Sequence, residues 1–204
     1  FRFASIPAPT IPDFALPIPF SIQLGTTIKR VGLDIIHVHT PFLMGRLGAR
    51  AARRFDLPLV FTFHTLYDQY VHYLPVPQDA SRKLVQVYGR DFCNRCDLVV
   101  TPSRMVMNYL RRMGVHVPIK PIPTGIEIDA FRQGDPNWLQ NNYGLRSEEK
   151  VLLFVGRLGK EKNIAFLLKA FRIIADRYPE VRLVLVGKGP MEHAYREMCS
   201  KLNV

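Results

Sequence analysis

Four short, almost unbroken apolar runs recur with helical patterns between them, and this alternation constrains the fold most. The runs are 34–39 (DIIHVH), 58–64 (PLVFTFH), 97–101 (DLVVT) and 119–123 (IKPIP). Between them lie an Ala- and Arg-rich helical pattern over 43–56, a second over 78–94, and a third that Ser103 is placed to cap and that ends near Gly114. Strands exposed to water on one face alternate polar and apolar residues. Runs this continuous belong to a parallel sheet covered on both faces by helices. The fixed hand of parallel crossovers then predicts an α/β, doubly wound, Rossmann-like arrangement.

The pattern breaks over 129–150, a polar stretch with Gly134, Pro136, Gly144 and the single Trp138. It restarts with a strand at 151–156 (VLLFVG), a helix on which Ile164, Leu167, Leu168, Phe171, Ile174 and Ala175 share a face, and a strand at 181–187 (VRLVLVG). A last helix is expected over 191–202. We therefore expect a Rossmann-like domain over 1–130, a connection with a short helix over 131–150, and the beginning of a second Rossmann-like domain over 151–204. A lone βαβ unit cannot bury both its faces, so the second domain calls for residues beyond Val204. The first residue is Phe1 rather than Met, which also leads us to expect a longer native chain. The first twenty residues carry Pro7, Pro9, Pro12, Pro17 and Pro19, which predict an extended surface segment.

Charge and cysteine content narrow the function classes. Lys and Arg number 28 against 17 acidic residues, a net charge of +11, which favours an anionic partner or simply keeps the protein soluble. There is no zinc-finger spacing, no block of five basic residues and no aromatic RNA-binding motif, which argues against nucleic acid. No run of 18 apolar residues is present to span a bilayer. Three cysteines cannot build a disulfide framework and fit a reducing cytoplasm; Cys93 and Cys96 form a lone CxxC that reads as core packing.

The segment richest in chemistry is 155–163, VGRLGKEKN. Arg157 follows directly on the strand, and Lys162 stands just ahead of the next helix. Ligands of open α/β sheets sit at the carboxyl ends of strands, where a phosphate meets the positive end of a helix dipole. Arg157 offers a planar fork and Lys162 a compact charge, both suited to a diphosphate leaving group. The plainer alternative is two solvated cations. The loop lacks both G-x-G-x-x-G and G-x-x-x-x-G-K-[ST], so it is neither a dinucleotide fingerprint nor a Walker A loop. In the first domain, His64 ends a strand at the edge where ligands are expected. His37 and His39 alternate on one strand and point the same way, as a hydrogen-bonded pair or part of a metal site whose third ligand is not evident. His39 and Thr40 border the same edge. Tyr67, Tyr70, His72 and Tyr73 combine aromatic bodies with polar tips, as a lipid boundary or ordinary packing would. Arg46, Arg50, Arg53 and Arg54 share one helix face, suited to anionic lipid or to water.

GRLGKEKN, the apolar helix after it and VRLVLVGKGP resemble the donor domain of GT-B glycosyltransferases of the retaining family GT4. PTGIEIDAF (123–131) resembles that family's interdomain segment. DIIHVHTPFLMG (34–45), TFHTLYDQYVHYLP (62–75) and DLVVTPS (97–103) resemble its bacterial branch that glucosylates diacylglycerol. The resemblance implies a GT-B fold of two Rossmann-like domains. It implies donor binding by Arg157, Lys162, Gly125 and Gly156, and catalysis by His64, Arg157 and Lys162. It places His39, Thr40, Tyr67, Tyr70 and His72 on the acceptor side. The implied donor is a UDP-sugar, a UDP-hexose such as UDP-glucose, and the implied acceptor is a lipid, diacylglycerol. No metal and no further cofactor is called for, since no DxD-type site is visible. The enzyme would work from the cytoplasm as a peripheral protein on the anionic inner face of the plasma membrane. Two other readings stay open: a GT4 transferase with phosphatidylinositol or a soluble sugar as acceptor, and a non-catalytic basic module that binds membrane or nucleic acid. The family's N-terminal Gly-rich loop and its two-glutamate motif do not occur in this stretch, so residues 1–204 alone are expected to be inactive.

Overall fold

The computed structural model describes residues 3–8, 11–69 and 78–204. The chain divides into two compact units, Phe1–Ile126 and Glu127–Val204.

The first unit opens with an antiparallel ribbon of β1 (Ser5–Ala8) and β2 (Ile11–Pro17), in register from Ser5 opposite Pro17. The proline-rich opening is thus extended, as expected, but it also pairs with itself. Proline has no N–H to give a ladder and is tolerated in a ribbon whose outer edges are free. A helix that the sequence pattern did not announce, α1 (Leu24–Val31), follows and ends on Gly32 in the left-handed conformation.

Four parallel strands then form one sheet in chain order: β3 (Ile36–Val38), β4 (Leu59–Thr62), β5 (Leu98–Thr101) and β6 (Ile119–Pro121). The helices α2 (Leu43–Phe55), α3 (Gln78–Cys93) and α4 (Arg104–Arg112) connect them. Each strand is a few residues shorter than its apolar run. A single row crosses the sheet in register: Val38 opposite Phe61, Phe61 opposite Val99, Val99 opposite Ile119. This row meets Ala52 of α2, Phe92 of α3, and Val106 and Leu110 of α4 in one core. Phe61, Val99 and Leu110 are fully buried there. Each such side chain contributes about 1.5–3 kcal/mol by leaving water, so the row fixes which face of the sheet points inward. The opposite face carries the alternate residues His37, Val60 and Leu98, also opposite one another. Ser103 caps α4 as its position suggested, its hydroxyl accepting from the Val106 N–H at 3.3 Å. Cys93 and Cys96 are buried in the core, and burial pushes both thiols up to about 12.

The second unit begins with two short helices, α5 (Ile128–Arg132) and α6 (Trp138–Tyr143). A parallel pair follows, β7 (Lys150–Val155) and β8 (Val181–Val186), joined by α7 (Ile164–Arg177) and followed by α8 (Glu192–Leu202). Ile164, Leu168 and Tyr195 close a small core against Phe154, Leu183 and Leu185. Leu153 and Val155 of β7 stay exposed. Among the described residues no helix is long and apolar enough to cross a membrane.

Candidate functional site

The sequence-predicted residues fall into two groups, one in each unit. In the second unit, the turn 156–163 leaves the carboxyl end of β7 and enters α7. Its shape follows from two buried pegs. Leu158 is 7% exposed and Ile164 is 0% exposed, and both sit in the small core. Arg157, just ahead of Leu158, and Lys162, between the two pegs, are exposed. A 3-10 turn, Lys160–Lys162, spans the gap, closed by the Lys162 N–H to the Gly159 carbonyl at 3.1 Å. The Tyr195 hydroxyl of α8 donates to that same carbonyl at 3.2 Å, pinning the turn from below. Neither pin was visible in the sequence, because Tyr195 lies 36 residues away along the chain.

Asn163 joins the 3-10 turn to α7 in the left-handed conformation, φ 51° and ψ 37°, and its side chain makes no capping hydrogen bond. Its carbonyl accepts from the Phe166 and Leu167 N–H groups at 3.0 and 3.4 Å, which starts the helix. Asparagine and glycine are the residues that visit this conformation most readily. That gives a backbone reason for an asparagine at this position.

The turn after β8 is locked onto the turn after β7. The Leu158 N–H donates to the Lys188 carbonyl at 2.9 Å, and the Met191 N–H donates to the Leu158 carbonyl at 3.0 Å. Gly187, at φ 152°, lies so close that a Cβ there would run into the Gly156 carbonyl oxygen. Gly156 therefore serves as a contact point for its neighbour. Gly125, at the end of the first unit, is exposed, with nothing near its Cα that a side chain would touch.

In the first unit, the carboxyl ends of β3 and β4 bring three imidazoles together. His37 and His39 lie 4.3 Å apart between ring centroids with their planes tilted by 35°, and His39 stacks on His64 at 5.1 Å with only 22° between the planes. His39 Nδ1 and His64 Nε2 are 2.8 Å apart, a hydrogen bond in which one ring carries the shared proton. His37 Nε2 is 2.7 Å from the Thr62 hydroxyl. The pKa of His37 is lowered, first by burial, then by the charges of His39 and His64. Residues two apart on one strand share a face, so the first pairing was legible. His64 joins only because β3 and β4 are adjacent in the sheet. Among the described residues no group of three or more His, Cys, Asp or Glu side chains is arranged to hold a metal ion.

Behind these rings, the Tyr67 hydroxyl hydrogen-bonds to Thr40 and Thr65, and its ring meets Phe42 at 5.0 Å and Phe63 at 5.9 Å. Thr40 itself accepts from the Phe42 N–H at 3.4 Å. The 3-10 turn Tyr67–Gln69 is held by Asp68, which is 4% exposed. Gln86 of α3 donates to its carboxylate at 3.0 Å, and the Tyr109 hydroxyl of α4 bonds to it as well. Burial and then Asp68 push the Tyr109 phenol up to about 12. A lone acid in an aromatic loop gave no sequence signal, although it ties the loop to two helices. Tyr70, His72 and Tyr73 lie outside the described residues. Arg46, Arg50, Arg53 and Arg54 are all exposed on α2.

Comparison with known proteins places the chain in a family. Residues 1–130 match the family described as Glycosyltransferase Family 4, and residues 138–204 match Glycosyl transferases group 1. An alpha-monoglucosyldiacylglycerol synthase from Streptococcus pneumoniae is 35% identical over 181 residues, which is 86% of this chain and 41% of that protein. The enzyme of the same name from Acholeplasma laidlawii is 29% identical over 195 residues, 91% of this chain and 49% of that protein. The chain thus spans less than half the length of these two relatives. In structure, Anabaena Alr3699/HepE, solved with UDP and glucose, superposes with a TM-score of 0.68 at 20% identity, covering 91% of this chain and 51% of that one.

Proposed function

The chain belongs to Glycosyltransferase Family 4 and has the GT-B fold, and from that membership we propose that the protein transfers a hexose from a UDP-sugar to the free hydroxyl of a lipid, diacylglycerol. The observation that carries the proposal is the turn 156–163. Two buried pegs hold it at the carboxyl end of a parallel strand and at the start of a 14-residue helix, with Arg157 and Lys162 turned outward. A diphosphate there meets a guanidinium fork, an ammonium and the positive end of α7. All three strengthen as negative charge collects on the departing UDP. The C1–O bond to the diphosphate breaks while the acceptor oxygen bonds to C1 on the same face, and the acceptor proton passes to the departing phosphate. His64 polarises or positions the sugar in this scheme. His39, Thr40 and Tyr67 belong to the acceptor side, and Gly125 and Gly156 belong to the donor side. The identity with two diacylglycerol-glucosylating enzymes supports the lipid acceptor. The exposed arginines of α2 support work at an anionic membrane surface on the cytoplasmic side.

The test is Arg157→Ala and Lys162→Ala in the full-length protein, assayed with UDP-glucose and diacylglycerol in mixed micelles. Each lost charge-assisted contact should lower kcat/KM tenfold or more, about 1.4–3 kcal/mol of transition-state stabilisation. Unchanged kcat/KM in both variants sinks the diphosphate assignment. Transfer to a soluble sugar or to phosphatidylinositol, but not to diacylglycerol, sinks the acceptor.

A further inference from the structure

The geometry points to His39 as the positioning residue of His64: its Nδ1 binds His64 Nε2, fixes the ring plane and leaves His64 Nδ1 as the nitrogen free to meet a ligand. This rests on the role proposed for His64, and it adds a second residue and a definite choice of ring nitrogen to that role.

Two contacts support it independently of each other. The hydrogen bond at 2.8 Å occupies one nitrogen of each ring. An imidazole that shares a proton through Nε2 has only Nδ1 left for outside partners. The stacking at 5.1 Å and 22° restricts rotation about the remaining side-chain torsion. His39 is itself held from behind. The tilted ring of His37 lies against it at 4.3 Å, and His37 is tied to Thr62 at 2.7 Å. The rings therefore form a continuous row, from Thr62 through His37 and His39 to His64, that is rooted in β3 and β4. Strand-borne groups are placed more accurately than loop-borne ones. His64 stands just beyond the end of β4, where its own backbone is no longer paired in the ladder, so it gains most from such a row. Among the described residues, the titratable groups around the row are the three histidines and Tyr67, which is engaged with Thr40 and Thr65.

The experiment is nitrogen NMR of the full-length protein with labelled histidine, read beside turnover. The wild type should show scalar coupling across the hydrogen bond between His39 Nδ1 and His64 Nε2. His39→Phe should abolish it, shift the tautomer balance of His64 and raise the His37 titration, because a neighbouring positive charge has been removed. In the transfer assay His39→Phe should lower kcat ten- to a hundredfold, the scale of a misplaced reacting group, with KM for the UDP-sugar within about twofold. His39→Asn can offer a polar atom at the position of Nδ1 and should recover most of kcat. No coupling in the wild type overturns the pairing. Wild-type kcat in His39→Phe, or an Asn variant as poor as the Phe variant, overturns the positioning role. The coupling, the tautomer and the His37 titration need no turnover. A protein that transfers no hexose therefore sinks the proposed function while these readouts still decide the pairing.

Discussion

Replacing Asn163 separates what a backbone conformation contributes from what a side chain contributes. Asn163 holds φ 51° and ψ 37° and makes no capping hydrogen bond, so its side chain is not what starts α7. A residue with a Cβ is disfavoured in this region by about 1–2 kcal/mol, a penalty that asparagine evades in part and glycine entirely. Asn163→Ala restores the part of the penalty that asparagine evades, so it should lower the ratio of native turn to its alternatives by up to about 5–30-fold. Asn163→Gly should leave it nearly unchanged. Affinity for UDP falls in proportion to the fraction of turn that is competent to bind. Calorimetry on the full-length protein should show UDP binding weakened more than twofold, up to that factor, in the Ala variant and within twofold of wild type in the Gly variant. Amide exchange at Phe166 and Leu167, whose N–H groups bond to the Asn163 carbonyl, should accelerate in the Ala variant alone. If Gly is as damaging as Ala, the side chain matters and the argument fails. If Ala is harmless, the turn is not what binds the diphosphate.

Two further outcomes follow from buried groups. Burial and Asp68 raise the Tyr109 phenol to about 12, so the folded state holds this proton more tightly than the unfolded chain does. That contribution is fully present below about pH 10, the ordinary phenol value, and disappears as pH rises from about 10 to 12. Asp68→Asn should move the phenolate transition seen by ultraviolet absorbance downward, while burial keeps it above 10; an unmoved transition breaks the link to Asp68. Cys93 and Cys96, both pushed up to about 12, should resist alkylation at pH 8 until the first unit unfolds, as read by mass spectrometry. Fast labelling in the native protein would contradict their place in the core.

The strands and most helices were legible because a buried parallel strand announces itself as an apolar run, and Ser103 announces a helix start. The ends of strands were less so: Asp34, His39 and His64 flank their ladders rather than join them. The helix α1 was missed although Leu24, Ile28 and Val31 recur at helical spacing, because it is only eight residues long and follows closely on the proline-rich opening. Of the candidate sites, Arg157 and Lys162 were legible from motif and position. The row of histidines was legible only in half, since strand order decides whether His64 meets His39. Asp68 and Tyr195 were illegible, because each works through partners brought near by the fold.

The contact between Gly187 and Gly156 has a consequence for engineering. The turns after β7 and β8 share hydrogen bonds through Leu158 and leave no room for a side chain between them. They therefore behave as a single replaceable cassette. A turn grafted from a relative at 155–163 alone would inherit a mismatched partner. The same graft extended through 186–191 would carry its own fit, so chimeras in this region should be cut after both strands together.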